Sequence, residues 1–277
     1  MNTKRITVIL IAIAFTLVVL FSCVGLLAIK KVEVDYAVSA QRNDTDNVQK
    51  TLDGYLGKNL LFLNLNEVKD SISNQAYMEI TSMEKKYPNV LAISIVERKE
   101  TYRLQNDGKT YILNENGYVL NDTGELVQGL NVIDLEFISF RNAPNSTLKI
   151  NVESAVVGQK LETTNDEVVY KTLDIAKQVG LADCISKIYI EDCTGNEYDV
   201  SFETHTGAKI YVVDVMQDGA RKVLTAFSVY DTIATDYQKR FGLIESLYVG
   251  NQLKVQHTFD DIDAQDRNDV LLHSEDI

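Results

Sequence analysis

The spacing of apolar and polar residues changes several times along the chain, and each change predicts an element. From Ile6 to Ile29 there are 24 residues without a charge, dominated by Ile, Leu, Val and Ala. A helix of that length reaches roughly 36 Å, enough to cross a hydrocarbon core of ~30 Å with some tilt. The next segment, "KKVEVDYAV", alternates and predicts a strand. Val48, Leu52, Tyr55 and Leu56 then recur at i, i+4, i+7 and i+8. That is one stripe of a helix, which Asp44 or Thr45 would cap and Gly57 would stop. "GKNLLFLN" leads to a second short helix over about Leu65 to Asn74, where Asn64 and Glu67 have capping-box spacing. Of Leu60, Leu61, Phe62 and Leu63, most are expected to pack under a sheet. "AYMEITSMEKKY" and "NVLAISIVERKE" read as two strands joined at Tyr87-Pro88-Asn89.

After Lys99 the rhythm shortens. Asp107-Gly108, Asn116-Gly117 and Thr123-Gly124 punctuate short alternating runs, the signature of hairpins. Residues 134–160 show no clear period and suggest a long loop. Thr164 and Glu167 have capping-box spacing before a helix that carries Val169, Leu173 and Ala176 on one side and closes at Gly180. Strands follow at Ile185 to Ile190, Tyr198 to Glu203 and Lys209 to Asp214, with turns at Gly195-Asn196 and Thr206-Gly207. A helix from Asp218 holds Val223, Phe227, Tyr230, Ala234 and Tyr237 on one face. "LIESLYV" and "QLKVQH" are two last strands meeting at Gly250-Asn251, and the acidic, aperiodic tail predicts disorder.

Charge sharpens the compartment. Lys4 and Arg5 precede the apolar run and Lys30 and Lys31 follow it, so the positive-inside count orients it only weakly. The expectation is a signal anchor: residues 1–5 cytoplasmic, 6–29 transmembrane and the bulk extracytoplasmic. A cleaved signal peptide has a shorter apolar core, and bulky Phe21 disfavours lipidation at Cys23. The four basic residues up to Lys31 leave 23 of the 27 basic residues against 40 acidic ones, a net charge of −17 beyond the anchor. A domain so acidic is expected not to bind nucleic acid electrostatically and to be repelled by anionic lipid surfaces. Cys184 and Cys193 bracket a predicted strand whose extended length of roughly 25 Å exceeds disulfide reach.

No constellation for catalysis emerges. The Gly57-Lys58 pair lacks the preceding glycine and the following Ser or Thr of a phosphate loop. "SMEK" at Ser82 to Lys85 matches Ser-x-x-Lys as letters, but it lies in a predicted strand and no Lys-Thr-Gly follows. His205, His257 and His273 stand apart from one another and from any cysteine pair, and "DDIDAQD" lacks the glycine and closing glutamate of a calcium loop. The expectation is no catalytic residue, no metal and no cofactor. An external enzyme acting on a wall precursor is the minor alternative.

One apolar span followed by strand–helix–helix–strand–strand resembles the bacterial cell-division family FtsQ/DivIB, whose first external module is a POTRA domain. "GKNLLFLN" is similar to that family's GxNLF-type link between the two POTRA helices. "KKYPNVLAISIVERKE" resembles its Pro-Asn turn with an apolar strand ending in Val-Glu-Arg, and "YILNENGYVL" its next hairpin, with Asn114 where an aspartate is usual. "GAKIYVVDVMQDGARKVLTAFSVYD" resembles a strand, turn and helix of its later β-domain, with Lys222 early in the helix. The chain departs from the pattern at "VSAQRNDTDN", where Gly-Asn is usual, and at Lys99-Glu100-Thr101, where a proline commonly follows.

The resemblance implies an α+β chain: a transmembrane helix at 6–29, a POTRA domain at 31–99, a mixed β-domain with two helices at 100–257 and a tail at 258–277. It implies a non-enzymatic divisome protein at the septal membrane, with FtsB/DivIC-like and FtsL-like bitopic partners and, through them, the septal wall synthase. The partner site is expected on the last strands and the preceding helix: Tyr237, Lys239, Arg240, Leu247, Tyr248, Val249, Leu253, Lys254, Val255 and His257. A POTRA-type chaperone or export component is the alternative, but no β-barrel accompanies the module.

Overall fold

A computed structural model describes residues 11–16, 18, 25–37, 45–72, 75–106, 108–129, 131–139, 148–150, 155–180, 183–193, 197–232 and 242–259. Residues 11–16 are helical, and Ile11, Ile13 and Phe15 in them are exposed. No helix among the described residues is long and apolar enough to cross a membrane. Half of the span expected at 6–29 lies outside them.

The first sheet has three strands in the order β1-β3-β2. β1 (Lys31–Ala37) runs parallel to β3 (Val90–Glu97), which pairs antiparallel with β2 (Met78–Lys86). Helices α1 (Thr45–Asp53) and α2 (Leu65–Ser71) stand between β1 and β2 in the chain. Val48 and Leu52 of α1 and Val68 of α2 are buried with Leu91, Ile93 and Ile95 of β3 in one core. The predicted order strand–helix–helix–strand–strand is present. Asn64 holds as the expected cap, and two other details differ from expectation. α1 ends at Asp53, and the left-handed Gly57 (φ 82°) belongs to the turn after it. Asn64 caps α2 by accepting from the Asn66 amide at 3.0 Å. Of the four apolar loop residues, Leu60 and Leu63 are buried, whereas Leu61 is 49% and Phe62 78% exposed. The chain turns sharply at Asn59, whose side chain accepts from the Leu61 amide at 2.9 Å, and that turn directs Phe62 outward.

The second sheet has nine strands in the order β12-β11-β10-β9-β8-β7-β4-β5-β6. β4 (Tyr102–Asn106) pairs antiparallel with β5 (Lys109–Leu113), and β8 (Ile185–Asp192) with β9 (Tyr198–Thr204), while Asp107, Gly195 and Asn196 of the predicted turns lie outside the described residues. β6 (Val119–Asn121) closes one end, and Asn114 builds the turn before it by accepting from the Tyr118 amide at 2.8 Å. Segment 134–160 departs from the loop expectation: its first residues extend β7 (Ile133–Ser139). β7 lies between β4 and β8, parallel to both. Ile133 and Leu135 enter the core, and a strand paired on both sides this way forms only once distant segments have assembled.

Helices α3 (Asp166–Val179) and α4 (Gly219–Thr232) contribute Val169, Leu173, Val223 and Phe227 to the main core. Asn165, rather than Thr164, caps α3, and Gly180 ends it at φ 71° as expected. Thr164 is engaged elsewhere, its hydroxyl accepting from the Lys149 amide at 2.9 Å. β10 (Lys209–Val212) is shorter than predicted, β11 (Gly242–Val249) is parallel to it, and β12 (Gln252–Phe259) returns antiparallel. Cys184 and Cys193 are free thiols, and burial pushes the Cys193 thiol up to about 12.

The two sheets meet at Lys99-Glu100-Thr101. The Glu100 carboxylate is buried, accepting from the Tyr77 hydroxyl at 2.8 Å and the Val127 and Gln128 amides at 2.9 Å. Arg98 reaches back to the Ala76 carbonyl at 3.0 Å and lies 4.3 Å from the Tyr118 ring. Arg98 and Glu100 thus clamp one module to the next.

Candidate functional site

The last strands, where the partner site is expected, stand at one end of the larger sheet among the described residues. β12 is the terminal strand of the nine-stranded sheet, and only β11 pairs with it among the described residues. Gly250, at φ 62°, makes the tight turn between them.

The ladder shows which groups face outward. Ser246 pairs with Val255 across β11 and β12, yet the Ser246 carbonyl accepts from the Val213 amide at 3.0 Å on the opposite side. Ser246 therefore directs its backbone toward β10, and Ser246–Val255 is a non-hydrogen-bonded pair. It follows that Val255 turns its own N–H and C=O away from the sheet. By strand alternation Leu253 and His257 do the same. Among the described residues no strand pairs with the outward backbone groups of Leu253 and Val255, the arrangement an added strand can satisfy.

Side chains of the expected site divide between two faces. Register puts Tyr248 opposite Leu253, and Val255 opposite Ser246. Val255 packs against the main core, to which α4 also contributes, so Tyr248, Leu253, Val255 and His257 share the helix-covered face. Leu247, Val249 and Lys254 lie on the other face, where Lys254 and Val249 are exposed. Tyr237, Lys239 and Arg240 fall outside the described residues. Burial lowers the His257 pKa below the ordinary histidine range and raises that of Glu245 on β11.

A buried lysine that plays no part in the expected binding row underpins this corner. Lys222, 1% exposed in α4, donates to the Val213 carbonyl at 2.6 Å and the Asp214 carbonyl at 2.9 Å. Its Nζ lies 5.2 Å from the centre of the Tyr248 ring, whose hydroxyl donates to Asp218 at 2.9 Å. The Asp214 amide is held at 2.7 Å by Asp199, which also accepts from Tyr211 at 2.6 Å. Asp214 and Asp218 adopt positive φ of 46° and 49°, a conformation that costs energy in non-glycine residues. The ammonium thus holds a strained β10–α4 connection shut, and burial pushes its pKa down. Sequence reading noted Lys222 only by resemblance. The departure of a lysine from an otherwise apolar helix stripe was the available signal.

No group of His, Cys, Asp and Glu suited to a metal is present among the described residues. A polar cleft of about 820 Å³ lies at the junction of the sheets, lined in part by Glu97, Arg98, Asn114 and His205. Glu97 and Arg98 belong to the clamp between the sheets, and Asn114 holds the turn before β6.

Residues 27–98 match the FtsQ-type POTRA domain. The chain is similar to curated proteins named cell division protein DivIB. The relative from Clostridium acetobutylicum is 29% identical over 121 residues, 44% of this chain and 46% of that protein. A Clostridium tetani relative is 42% identical over 62 residues, 22% of this chain and 23% of that protein. A Clostridium botulinum relative is 24% identical over 210 residues, 73% and 79% of the two chains. The match thus spans under half the length of the first two and most of the third.

Proposed function

From a chain related to the FtsQ/DivIB family of cell-division proteins, we propose a divisome assembly protein, without catalytic activity, that recruits bitopic partners at its β12 edge. The observation that carries this reading is the outward direction of the Leu253 and Val255 backbone groups on a strand that ends the sheet among the described residues. An FtsB/DivIC-like segment adds there as a further strand, main-chain hydrogen bonds supplying affinity and the flanking side chains supplying register. Partner side chains meet Tyr248, Leu253 and His257 on one face and Leu247, Val249 and Lys254 on the other. FtsL-like protein and the septal wall synthase are engaged through that partner. The apolar run at 6–29 anchors the chain in the cell membrane with the two modules outside, and the assembly gathers at the septum. On this reading the domains run as 31–99 and 100–257, with β12 extending the second to Phe259.

Val255→Pro is a clean test because of the register. Proline at this position removes an outward N–H and leaves the bonds to β11 in place. Capture of the FtsB-like partner is expected to fail while the variant keeps the circular dichroism and melting profile of the parent. Undiminished capture refutes the strand-addition reading.

A further inference from the structure

The loop that turns Phe62 outward lies beside the point where the chain leaves its apolar segment. The Leu60 amide donates to Leu27 and the Ile29 amide to Lys58, at 2.8 and 2.9 Å, and Gly57 donates to Ile29 at 2.8 Å. The α1–α2 loop is therefore zipped to the last residues of the apolar run. The β2–β3 turn arrives at the same place, since the Lys30 amide donates to Asn89 at 2.9 Å. Leu26, Leu56, Leu61, Phe62 and Tyr87 are all exposed on these segments.

Two further features separate this patch from a chance exposure of apolar residues. The first is rigidity. Asn59 closes a side-chain turn onto Leu61, and Lys85 on β2 donates to the Leu61 and Leu63 carbonyls at 3.2 and 2.7 Å. The second is local charge. Residues 31–99 hold nine basic and ten acidic side chains, the acidic excess of the chain lying beyond them, and Lys30, Lys31, Lys58 and Lys86 gather here; Lys58 also lies 4.1 Å from the Tyr55 ring, and Glu33 bridges Lys31 and Lys86.

We infer that the α1–α2 loop and the β2–β3 turn form a membrane-interface foot, inserting Leu61, Phe62 and Tyr87 among lipid headgroups and upper acyl chains. Apolar and aromatic tips rimmed by lysine suit that layer, where rings find hydrocarbon and ammonium groups find anionic headgroups. The foot limits swivelling of the POTRA module and so sets the height and direction from which the β12 edge is offered. This inference rests on the anchor reading of residues 6–29.

The sequence has no tryptophan, so one introduced residue reports alone. The full chain carrying Phe62→Trp is placed in nanodiscs of phosphatidylcholine with phosphatidylglycerol, with and without lipids brominated near the headgroup. Blue-shifted emission, at least halved by the brominated lipid, is expected, and Tyr87→Trp behaves alike. Leu224→Trp, exposed on α4 in the other module, emits as in water and is not quenched. Quenching no stronger than in discs of phosphatidylcholine alone overturns the lysine rim. Alkaline extraction of membranes bearing the chain separates the two readings. Release into the supernatant sinks the anchor and the foot together, whereas a retained chain with unquenched Phe62→Trp overturns the foot alone.

Discussion

Lys222→Met probes the support of the binding corner most directly. Methionine keeps most of the stem volume and flexibility, so little cavity is created. What disappears is the donor for the Val213 and Asp214 carbonyls. Those acceptors belong to the backbone and cannot be substituted away, and each buried carbonyl left without a donor costs about 1–3 kcal/mol. Part of that loss returns, because the variant no longer desolvates an ammonium group, the burden that depresses the Lys222 pKa. The balance is a destabilisation of about 2 kcal/mol, equivalent to a fall in melting temperature of about 4–8 °C for a domain of this size. Scanning calorimetry of the detergent-solubilised chain measures the fall. Hydrogen exchange with mass spectrometry locates it, with faster exchange expected across β10, residues 213–218 and α4 while β1 to β3 are unaffected. A methionine variant as stable as the parent refutes the claim that the ion holds the strained connection.

The α1–α2 loop supplies a contrast. Leu60→Ala removes a fully buried side chain and is expected to cost about 2–5 kcal/mol of POTRA stability, whereas Phe62→Ala stays within about 0.5 kcal/mol in urea unfolding with detergent present. Gly117→Ala introduces a Cβ 2.6 Å from the Tyr170 ring at φ 79° and should lower the unfolding free energy by about 2–4 kcal/mol, read from the same curves. Burial lowers the His257 pKa, so the unfolded strand binds the proton more tightly than the folded one. The pairing of β12 is therefore at full strength above the ordinary histidine value of 6.5 and weakens as pH falls below it. Amide exchange in β12 should accelerate, after correction for intrinsic rates, on acidification from neutral pH, and His257→Phe should abolish that dependence.

Much of the fold was legible because local rules write it. Alternation marks β1 to β3, the apolar stripes mark α1, α3 and α4, and Gly180 stops α3 in the left-handed conformation that glycine favours. Caps were legible only to within a residue: Thr164 and Asn165 compete, and a contact with Lys149 decides between them. "IDLEFIS" carries the alternation of β7, but nothing nearby announces a strand that pairs in parallel with β4 and β8.

The sequence by itself determined most of the helices and strands, the acidic balance and the apolar anchor candidate, since each depends on composition or short-range periodicity, while its quoted motifs carried the division-family resemblance. Only the tertiary structure decided that, among the described residues, β12 ends the sheet with the backbone groups of Leu253 and Val255 turned outward, because strand order and ladder register are set by segments far apart in the chain. It also decided that Leu60 is buried and Phe62 exposed, although both are apolar and two residues apart. Hydrophobicity says that a side chain gains by leaving water; the neighbours brought in by Ile29, Lys85 and Asn89 determine where it goes.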